Sequence, residues 1–499
     1  MTLANNVHDR AMTAVVRPSD WPLAPLPPRY DLVAIGGGTG GLVAASGAGL
    51  LGATTALIER DKLGGDCLIH GCVPSKALLH TARIAHAARN GPAVGVHTGD
   101  VRVDFPAVMD RLRKIRADIA HDDAATVLAG RGIDVRFGTA RFTGPRTLDL
   151  DGQSIAFKRA VIATGGRPRM PAVPGLADVA LTNASVFDLD ELPRRLLVLG
   201  GGPIGCELAQ AFARFGSQVL VAQRADRLLP GDDPEASDVL LSALRDEGID
   251  VRLKTTATAV SPGPDGGHQV DLAGPDGPSS VVVDQILVAV GREPNVEGLG
   301  LKAAGVTYSS RGIHVGVGQR TTNRRIYAVG DVAEGPNFTH AAYAQGARST
   351  LSALFPFRSR EPSPMSWVTF TDPEVAHVGL RHDGLLALGD RVETVRLGWD
   401  RNDRARTDGD ARGFAKIHLR RGTERLLGAT FVGRDVGELV GEVALAMTAR
   451  KGLAAIRDTI HPYPTRSWLT RDLAIEHGLG RVTPWVKRLL RVWFDWGLM

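Results

Sequence analysis

Two cysteines lie close together in the sequence GGDCLIHGCVPSK, which runs from Gly64 to Lys76. Cys67 and Cys72 are five residues apart in a chain that has three cysteines in all. The residues after Cys72 are good helix formers, and Pro74 suits the first turn of a helix. We therefore expect Cys72 to lie at a helix N-terminus, where the positive end of the helix dipole lowers the pKa of a thiol.

Three interpretations of this cysteine pair are open from the residues alone. Two buried, reduced thiols would pack as small hydrophobic side chains. A zinc site has little support, because the chain has no second cysteine pair and the spacing differs from that of structural zinc ligands. A redox-active disulfide fits if Gly71 allows a sharp turn that brings the two Cα atoms within about 7 Å. This last interpretation requires an electron carrier near the pair.

A glycine-rich turn follows the first predicted strand in YDLVAIGGGTGGLVAASGAGLLGATTALIERD. Gly36, Gly38 and Gly41 match the spacing G-x-G-x-x-G, and a helix and a second strand follow. Such glycines allow a tight bend, the approach of a pyrophosphate and close packing, with the phosphates on the helix N-terminus. Glu59 ends the second strand, where a carboxylate binds ribose hydroxyls. A turn that serves packing alone is the simpler alternative, and the flanking elements favour a dinucleotide site.

The same arrangement recurs in RRLLVLGGGPIGCELAQAFARFGSQVLVAQRADRLLP, with Gly200, Gly202 and Gly205. Here the second strand ends in Gln223 and Arg224, without a carboxylate. An acidic side chain at this position repels the 2′-phosphate of NADP, whereas an arginine binds it. The alternative is that Arg224 is a solvated surface charge. We expect a second dinucleotide site that prefers NADPH to NADH.

Three later segments fit a chain that binds two dinucleotides, a nicotinamide donor and a flavin acceptor. AVIATGGRPRMP and QILVAVGREPNV each run from a buried strand into a glycine turn that can cross over a bound nucleotide. RRIYAVGDVAE ends a strand on Asp331, whose carboxylate can bind a ribityl hydroxyl of the flavin. Each segment is common in α/β proteins, and the informative feature is their order along one chain.

Together these motifs resemble those of the pyridine nucleotide-disulfide oxidoreductases, the family of dihydrolipoamide dehydrogenase, glutathione reductase and mercuric reductase. The resemblance runs from about Tyr30 to about Glu476 and is nearest to the mercuric-reductase-like branch. It implies an α/β fold with two Rossmann-like dinucleotide-binding domains and a C-terminal α+β dimerisation domain. It also implies a homodimer that binds FAD, accepts hydride from NAD(P)H and passes electrons to the cysteine pair.

The resemblance also implies roles for individual residues. Cys72 matches the cysteine next to the flavin, which forms the charge-transfer thiolate, and Cys67 matches the outer cysteine that attacks the substrate. Lys76 and Glu207 match the ion pair near flavin N5. No metal site is expected. The implied cofactor-binding residues are Gly36, Gly38, Gly41, Glu59, Gly65, Lys76, Ala140, Thr164, Gly165, Gly200, Gly202, Gly205, Glu207, Arg224, Gly291 and Asp331.

The C-terminal catalytic motif of the family is altered in this chain. Disulfide reductases carry His-x-His-Pro-Thr followed by a glutamate, and the second histidine and this glutamate exchange the proton of the outer thiol. In TIHPYPTRSWLTRD, alignment on the Pro-Thr pair puts Tyr463 at that histidine and Trp468 at the glutamate. A tyrosine with a pKa of about 10 is a poor base at neutral pH, although it can donate a hydrogen bond. His461 is interpreted as structural.

The electron acceptor stays open. No cysteine follows Cys206, so the C-terminal vicinal cysteines of mercuric reductase are missing. Asp66 and His70 also depart from the patterns of glutathione and lipoamide reductases. The main interpretation is electron transfer from NADPH through FAD and the Cys67–Cys72 disulfide to a small-molecule or small disulfide acceptor. The alternatives are a flavin reductase, diaphorase or transhydrogenase that bypasses the disulfide, and a redox sensor without steady turnover.

The composition is that of an ordinary globular protein, with 43% hydrophobic and 23% charged residues. The net charge of +5 suits anionic dinucleotides and lacks the clustering that marks a nucleic-acid-binding protein. Three cysteines give no disulfide framework, which favours a reducing cytoplasm. We see no signal-peptide pattern at the N-terminus.

The length predicts several domains, which we assign in the order of the family. The proline-rich N-terminus is interpreted as a mobile arm. The tail carries tryptophans between basic residues and is interpreted as an amphipathic helix that packs on the protein's own dimer, with membrane-surface contact as the alternative. The predicted segments are the arm at 1–28, the FAD-binding domain at 29–185 and 295–362, the NAD(P)-binding domain at 186–294, the dimerisation domain at 363–480 and the tail at 481–499.

Overall fold

The computed structural model describes residues 6–355 and 364–495. The chain divides into two compact units, residues 1–224 with 248–361 and residues 225–247 with 362–499. The finer division into domains stays a prediction, and its boundary at residue 362 lies outside the described residues.

Helices and strands alternate around the two glycine motifs, as those motifs predict. The α-helices of the described residues are α1 Val7–Val16, α2 Thr39–Leu50, α3 Gly65–Ile69, α4 Cys72–Asn90, α5 Phe105–Ala120, α6 Ala125–Gly130, α7 Pro203–Phe215, α8 Pro234–Asp246, α9 Thr339–Leu354, α10 His382–Leu386, α11 Asp403–Thr407, α12 Val436–Thr448, α13 Leu453–Asp458, α14 Trp468–Gly480 and α15 Pro484–Asp495. The β-strands are β1 Tyr30–Ile35, β2 Thr55–Glu59, β3 Ile133–Phe137, β4 Ala140–Gly144, β5 Thr147–Leu150, β6 Gln153–Ile162, β7 Gly166–Pro168, β8 Arg195–Leu199, β9 Gln218–Gln223, β10 Asp250–Leu253, β11 Thr256–Pro262, β12 His268–Gly274, β13 Gly277–Val283, β14 Gln285–Val288, β15 Arg292–Pro294, β16 Tyr308–Ser309, β17 Gly312–Ile313, β18 Ile326–Ala328, β19 Ser366–Thr369, β20 Glu374–Gly379, β21 Val392–Gly398, β22 Phe414–Arg420 and β23 Leu426–Gly433.

The first unit is built on parallel sheets. In the larger sheet β3, β2, β1, β6 and β18 run parallel in this order, and the hairpin β4–β5 continues antiparallel from β6. In the smaller sheet β10, β9, β8 and β14 all run parallel. Nearly all residues of strand β1 are buried, as expected for a parallel strand that is covered on both faces. These sheets are the two Rossmann-like folds that the motifs predict.

The second unit contains an antiparallel sheet in the order β19-β20-β23-β22-β21. Its core is formed by apolar side chains from the sheet and from helices α12, α13 and α14, including Ile417, Phe431, Val443 and Leu469. This α+β arrangement confirms the fold class expected for the C-terminal part of the chain.

The N-terminal segment differs from the mobile arm that the sequence suggests. Residues 7–16 form α1, which is capped by Asn6, whose side chain accepts hydrogen bonds from the first turn. Met12 and Val16 are fully buried in the apolar core of the first unit. The arm interpretation is therefore wrong for this stretch, because the prolines lie further along the chain and the residues before them form an amphipathic helix.

A buried ion pair fastens α1 to α5. Asp9 of α1 pairs with Arg116 of α5, and both side chains are inaccessible to solvent or nearly so. A second Arg116 nitrogen, Nη1, donates to the carbonyl of Ile69, at the end of α3, over 2.9 Å. Leu63, which precedes α3, donates its N–H to the carbonyl of Val16 over 3.1 Å. The N-terminal helix thus supports the segment that carries Cys67.

The tail also forms a helix, α15, over residues 484–495, while residues 496–499 lie outside the described part. Within the described ranges, we find no helix with both the length and the apolar character that crossing a membrane requires.

Candidate active site

The first glycine turn, residues 36–41, joins β1 to α2. Gly36 has φ = 104°, and a Cβ at this position would collide with the carbonyl of Ala163, which directly follows β6. A Cβ on Gly41 would in turn collide with the carbonyl of Gly36. Gly38 is the N-cap of α2 and has no side chain to obstruct the helix terminus. The backbone therefore forms a cradle at a helix N-terminus, which fits the pyrophosphate of a dinucleotide.

Glu59 lies at the end of β2, beside this turn. Its carboxylate accepts hydrogen bonds from the backbone N–H of Gly37 over 2.5 Å and of Asp61 over 2.7 Å. Burial raises the pKa of Glu59. A carboxylate oriented in this way at a strand end fits the hydroxyls of a nucleotide ribose.

The second glycine turn, residues 200–205, joins β8 to α7 and repeats the geometry of the first. Gly200 has φ = 110°, and a Cβ there would collide with the carbonyl of Ala289. A Cβ on Gly205 would collide with the carbonyl of Gly200. Gly202 is the N-cap of α7, and the space where its Cβ would point is open. The chain therefore carries two cradles of the same construction, as the sequence predicts.

The two turns differ at the end of the following strand. Gln223 ends β9, and its Oε1 accepts the N–H of Gly201 over 3.1 Å, the same type of contact that Glu59 makes in the first turn. Gln223 is buried and Arg224, the next residue, is exposed. The second turn thus keeps the side-chain acceptor of the first without its negative charge.

The cysteine pair lies next to the first glycine turn. Gly65 begins α3, and a Cβ on this residue would come within 2.6 Å of the Gly38 Cα. Cys67 follows in α3, and Cys72 is the first residue of α4, as expected from the sequence. The cradle and the two thiols therefore belong to one site.

The two thiols are in hydrogen-bond contact and have opposite pKa shifts. The hydrogen bond from Cys67 lowers the pKa of Cys72 to about 6, assisted by the Thr339 hydroxyl and the positive charge of Lys76. The Thr339 Oγ1 lies 3.4 Å from the Cys72 Sγ. The same thiol contact, together with burial, raises the pKa of Cys67. Both cysteines are free thiols in the structure.

Lys76 and Glu207 form an ion pair with 2.7 Å between Nζ and Oε2. Lys76 lies one turn after Cys72 in α4, and Glu207 lies in the first turns of α7. The Glu207 side chain is almost entirely buried, whereas that of Lys76 is 36% exposed. The structure therefore brings together the two residues that the family resemblance paired.

The loop around Cys67 is held by side chains outside the motif. Asn183 Nδ2 donates to the Asp66 carboxylate and to the His70 carbonyl, each over 3.2 Å. Burial lowers the pKa of His70 to about 4, so its imidazole is neutral at pH 7. The sequence offers no signal for Asn183, because it lies far along the chain from the cysteines.

Arg292 is a further residue that the sequence analysis missed. Its Nε donates to the Asp331 carboxylate over 2.8 Å, and its Nη1 lies 3.3 Å from the carboxylate of Asp66. Its Nη2 donates to the carbonyl of Gly166 over 2.9 Å. The sequence feature that could have indicated Arg292 is its position directly after Gly291 (φ = 117°) in QILVAVGREPNV, the second segment predicted to cross over a bound nucleotide.

The two crossing segments predicted from the sequence lie side by side. Strand β7 pairs antiparallel with β15, and the Thr164 hydroxyl donates to the Asn295 carbonyl over 2.9 Å. Gly165, with φ = 66°, accepts the N–H of Asn295 over 2.9 Å. Ala140 is buried at the start of β4. The structure gives these residues no direct contact with the thiols.

The altered C-terminal motif lies in the second unit. Tyr463 is exposed, donates its hydroxyl to the Asp403 carboxylate over 3.0 Å and contacts the Trp468 ring edge-on, with 5.4 Å between centroids. The hydrogen bond to Asp403 raises the pKa of Tyr463. His461 is buried, with Nε2 2.7 Å from the Glu442 carboxylate and Nδ1 2.9 Å from the Thr459 carbonyl. These contacts suit a structural histidine and a tyrosine that acts as a donor.

Comparison with known proteins identifies the family. The model described as pyridine nucleotide-disulphide oxidoreductase matches residues 30–346, and the model of the dimerisation domain of the same family matches residues 365–472. The chain therefore belongs to the pyridine nucleotide-disulphide oxidoreductases, and it is an FAD-dependent enzyme of this family. This confirms the resemblance, and the dimerisation domain supports a homodimer.

Relatives with different activities have similar identities to this chain. A mercuric reductase of Bacillus cereus is 36% identical over 442 residues, which cover 87% of this chain and 69% of the relative. A dihydrolipoyl dehydrogenase of Thermus scotoductus is 36% identical over 449 residues, which cover 88% and 95%. Among solved structures, the HOCl-induced flavoprotein disulfide reductase RclA from Escherichia coli superposes with a TM-score of 0.78 at 28% identity, covering 89% of this chain and 99% of RclA. The relatives therefore agree on the family and differ on the acceptor.

Proposed function

We propose that the protein transfers two electrons from NADPH, through FAD, to the Cys67–Cys72 pair and on to a small-molecule or small disulfide acceptor. The observation that carries this proposal is the pair of thiols in contact, one with a lowered and one with a raised pKa. When bound, FAD supplies the two-electron exchange between the nicotinamide and the disulfide. The first glycine turn would hold its pyrophosphate, Glu59 its ribose, Asp331 its ribityl chain and Lys76 its ring.

The pKa shifts of the two thiols match the proton balance of this reaction. One hydride equivalent from NADPH carries two electrons and one proton, and it breaks the S–S bond while NADPH becomes NADP⁺. Cys67 keeps the proton as a thiol, because its pKa is raised. Cys72 keeps the negative charge as a thiolate, supported by the Thr339 hydroxyl and the N-terminus of α4. The reduced pair thus needs no further proton.

NADPH as the donor is supported by the second glycine turn. Gln223 satisfies the Gly201 N–H without placing a negative charge beside the 2′-phosphate, and the exposed guanidinium of Arg224 is available next to it. We expect NADH to be the poorer donor, because it has no 2′-phosphate for Arg224 to bind.

A second candidate function is electron transfer directly from the flavin to the acceptor, without the disulfide. It is favoured by the replacement of the family's histidine and glutamate by Tyr463 and Trp468. Because Tyr463 donates to Asp403 and has a raised pKa, it does not supply a base for the Cys67 proton at neutral pH. A redox sensor that is reduced once without turnover is the third possibility, and steady NADPH oxidation would contradict it.

Anaerobic assays of the purified flavoprotein test the proposal. NADPH oxidation would be followed with small disulfides, quinones, metal ions and a nicotinamide analogue as acceptors, for wild type and for Cys67→Ser. The proposed function predicts an acceptor class whose reduction requires Cys67. If every active acceptor is reduced at the wild-type rate by Cys67→Ser, the electrons leave from the flavin, and the second candidate is correct.

A further inference from the structure

Helix α15, at the C-terminal end of the described chain, has no part in the site above. Within the described part of the chain, none of its twelve residues is buried. Its aromatic side chains are largely accessible, with Trp485 69%, Trp493 56% and Phe494 63% exposed. So many accessible large apolar side chains on one short helix mark an interaction surface.

The helix has a defined start. Pro484 occupies its first position, where the absence of an N–H costs nothing. The Thr483 hydroxyl accepts the N–H of Val486 over 3.4 Å, and its carbonyl accepts the N–H of Lys487 over 3.0 Å. The apolar side chains of α15 therefore project from a regular helix rather than from a loop.

The apolar and basic residues of α15 separate around the helix axis. At 3.6 residues per turn, the apolar side chains cover an arc of about 200°, and the charged ones share the remainder. The apolar arc contains Trp485, Val486, Leu489, Leu490, Val492, Trp493 and Phe494, and the polar arc contains Lys487, Arg488, Arg491 and Asp495. The polar arc thus carries three positive charges and one negative charge, and the negative charge lies at the C-terminal end of the described helix.

We propose that α15 is a membrane-surface helix that lies in the headgroup region of an anionic bilayer. Tryptophans within an apolar face, bordered by lysine and arginine, are typical of helices that lie in this interface. Three basic side chains complement anionic lipid phosphates. At twelve residues, or about 18 Å, the helix is too short to span the bilayer and lies parallel to its surface.

A second copy of the chain is the competing occupant. Pairing of two helices buries a stripe narrower than the arc of α15 and would leave apolar side chains such as Leu490 and Phe494 in water. A bilayer can bury all the apolar side chains of this arc at once, because the acyl chains surround them on every side of the arc. The width of the apolar arc and the sign of the charges therefore favour lipid over a second helix.

Vesicle flotation of the purified holoenzyme tests this proposal. Vesicles would contain phosphatidylcholine alone, or phosphatidylcholine and phosphatidylglycerol in equal parts. We expect the wild type to float with the anionic vesicles and to be released by high salt. The triple variant Lys487→Gln/Arg488→Gln/Arg491→Gln should partition on the order of a hundredfold more weakly, since each basic side chain near the surface contributes about fivefold.

The apolar arc is tested by Leu489→Glu combined with Trp493→Glu, which should abolish flotation. Leu386→Glu is the matched control, because Leu386 is an exposed leucine of α10, and it should float like the wild type. Flavin content and NADPH oxidation with an artificial acceptor should be the same in all variants, which separates this proposal from the proposed function.

Two results would overturn the proposal. One is a wild type that does not float with the anionic vesicles, or that floats equally with phosphatidylcholine alone. The other is a change from dimer to monomer in Leu489→Glu/Trp493→Glu on size-exclusion chromatography, which would identify the occupant of α15 as a second copy of the chain.

Discussion

The Lys76 ammonium, on the helix that begins with Cys72, lies 2.7 Å from the carboxylate of Glu207, on the helix that begins at the second glycine turn. The pair thus connects the thiol that carries the negative charge to the helix that we propose binds the nicotinamide nucleotide. Its positive member lowers the pKa of Cys72, and its negative member raises it. The effect of these two charges on the pKa of Cys72 can be measured.

We expect the charge-transfer absorbance of the two-electron-reduced enzyme to depend on pH through Cys72. Its pKa of about 6 lies below the ordinary value for a thiol, so the thiolate and its absorbance are present above pH 6 and are lost as the pH falls through it. In Lys76→Met the midpoint should move to higher pH. Lys76→Arg should keep the wild-type midpoint, and Lys114→Met, at an exposed lysine of α5, is the control. An unchanged midpoint in Lys76→Met would contradict the role of this charge.

The cysteine variants should separate the roles of the two thiols. Cys72→Ser should abolish the charge-transfer absorbance, because it removes the thiolate that we propose lies next to the bound flavin. Cys67→Ser should keep or strengthen it, since Cys72 can no longer be oxidised to a disulfide. Spectra recorded during anaerobic reduction with NADPH provide the measurement. If the absorbance survives in Cys72→Ser, the assignment of the two cysteines is reversed.

Turnover of a disulfide acceptor should rise toward alkaline pH, because Cys67 has a raised pKa and Tyr463 aligns with the histidine that accepts this proton in the family. Tyr463→His alone should change this profile little. The rings of Tyr463 and Trp468 are in contact, so Tyr463→His with Trp468→Glu would place an imidazole beside a carboxylate. The double variant should gain activity at neutral pH, by about tenfold or more. If the double variant has the pH profile of the wild type, the residues at these two positions do not exchange the proton of Cys67.

Arg224→Ala should lower kcat/KM for NADPH by about ten- to a hundredfold, as expected for loss of a charge-assisted hydrogen bond. It should leave kcat/KM for NADH nearly unchanged, because NADH has no 2′-phosphate. Arg245→Ala, on α8, is a comparison variant with the same loss of charge. Equal effects on both donors would show that Arg224 does not select between them.

Asp9→Asn should destabilise the protein by about 3–5 kcal/mol, because it leaves the fully buried Arg116 guanidinium without its charged partner. Asp118→Asn is the matched control: Asp118 pairs with Lys114 on the exposed face of the same helix that carries Arg116. Loss of that surface pair should cost at most about 1 kcal/mol. Thermal unfolding of the holoenzyme provides the comparison, and equal midpoints for the two variants would argue against a role for the buried pair.

The sequence predicted the local geometry of the site well, because glycine positions report directly on the backbone. Gly36, Gly41, Gly200 and Gly205 each lie where a Cβ would collide with a carbonyl, so their spacing alone identifies the two turns. The position of Cys72 at the start of α4 was likewise predictable, since helix formers and a proline follow it.

Contacts between distant parts of the chain were not predictable in this way. Arg292 bridges the carboxylates of Asp66 and Asp331, although these residues are separated by more than two hundred positions. Asn183 reaches the cysteine loop from another segment, again with no periodic or motif signal. Composition was misleading at the N-terminus, where the prolines of residues 18–28 concealed the helix before them.

The packing of α1 on α5 also predicts which residues occur together in sequences of this family. Arg116 lies in a fully buried position whose charge is balanced by a residue from outside the segment that the family model matches, which starts at residue 30. A relative whose chain starts at the equivalent of β1 has no carboxylate to offer there. Across an alignment, an arginine at this position should therefore occur together with an N-terminal helix that carries an aspartate or glutamate, and an uncharged residue should replace it where that helix is missing.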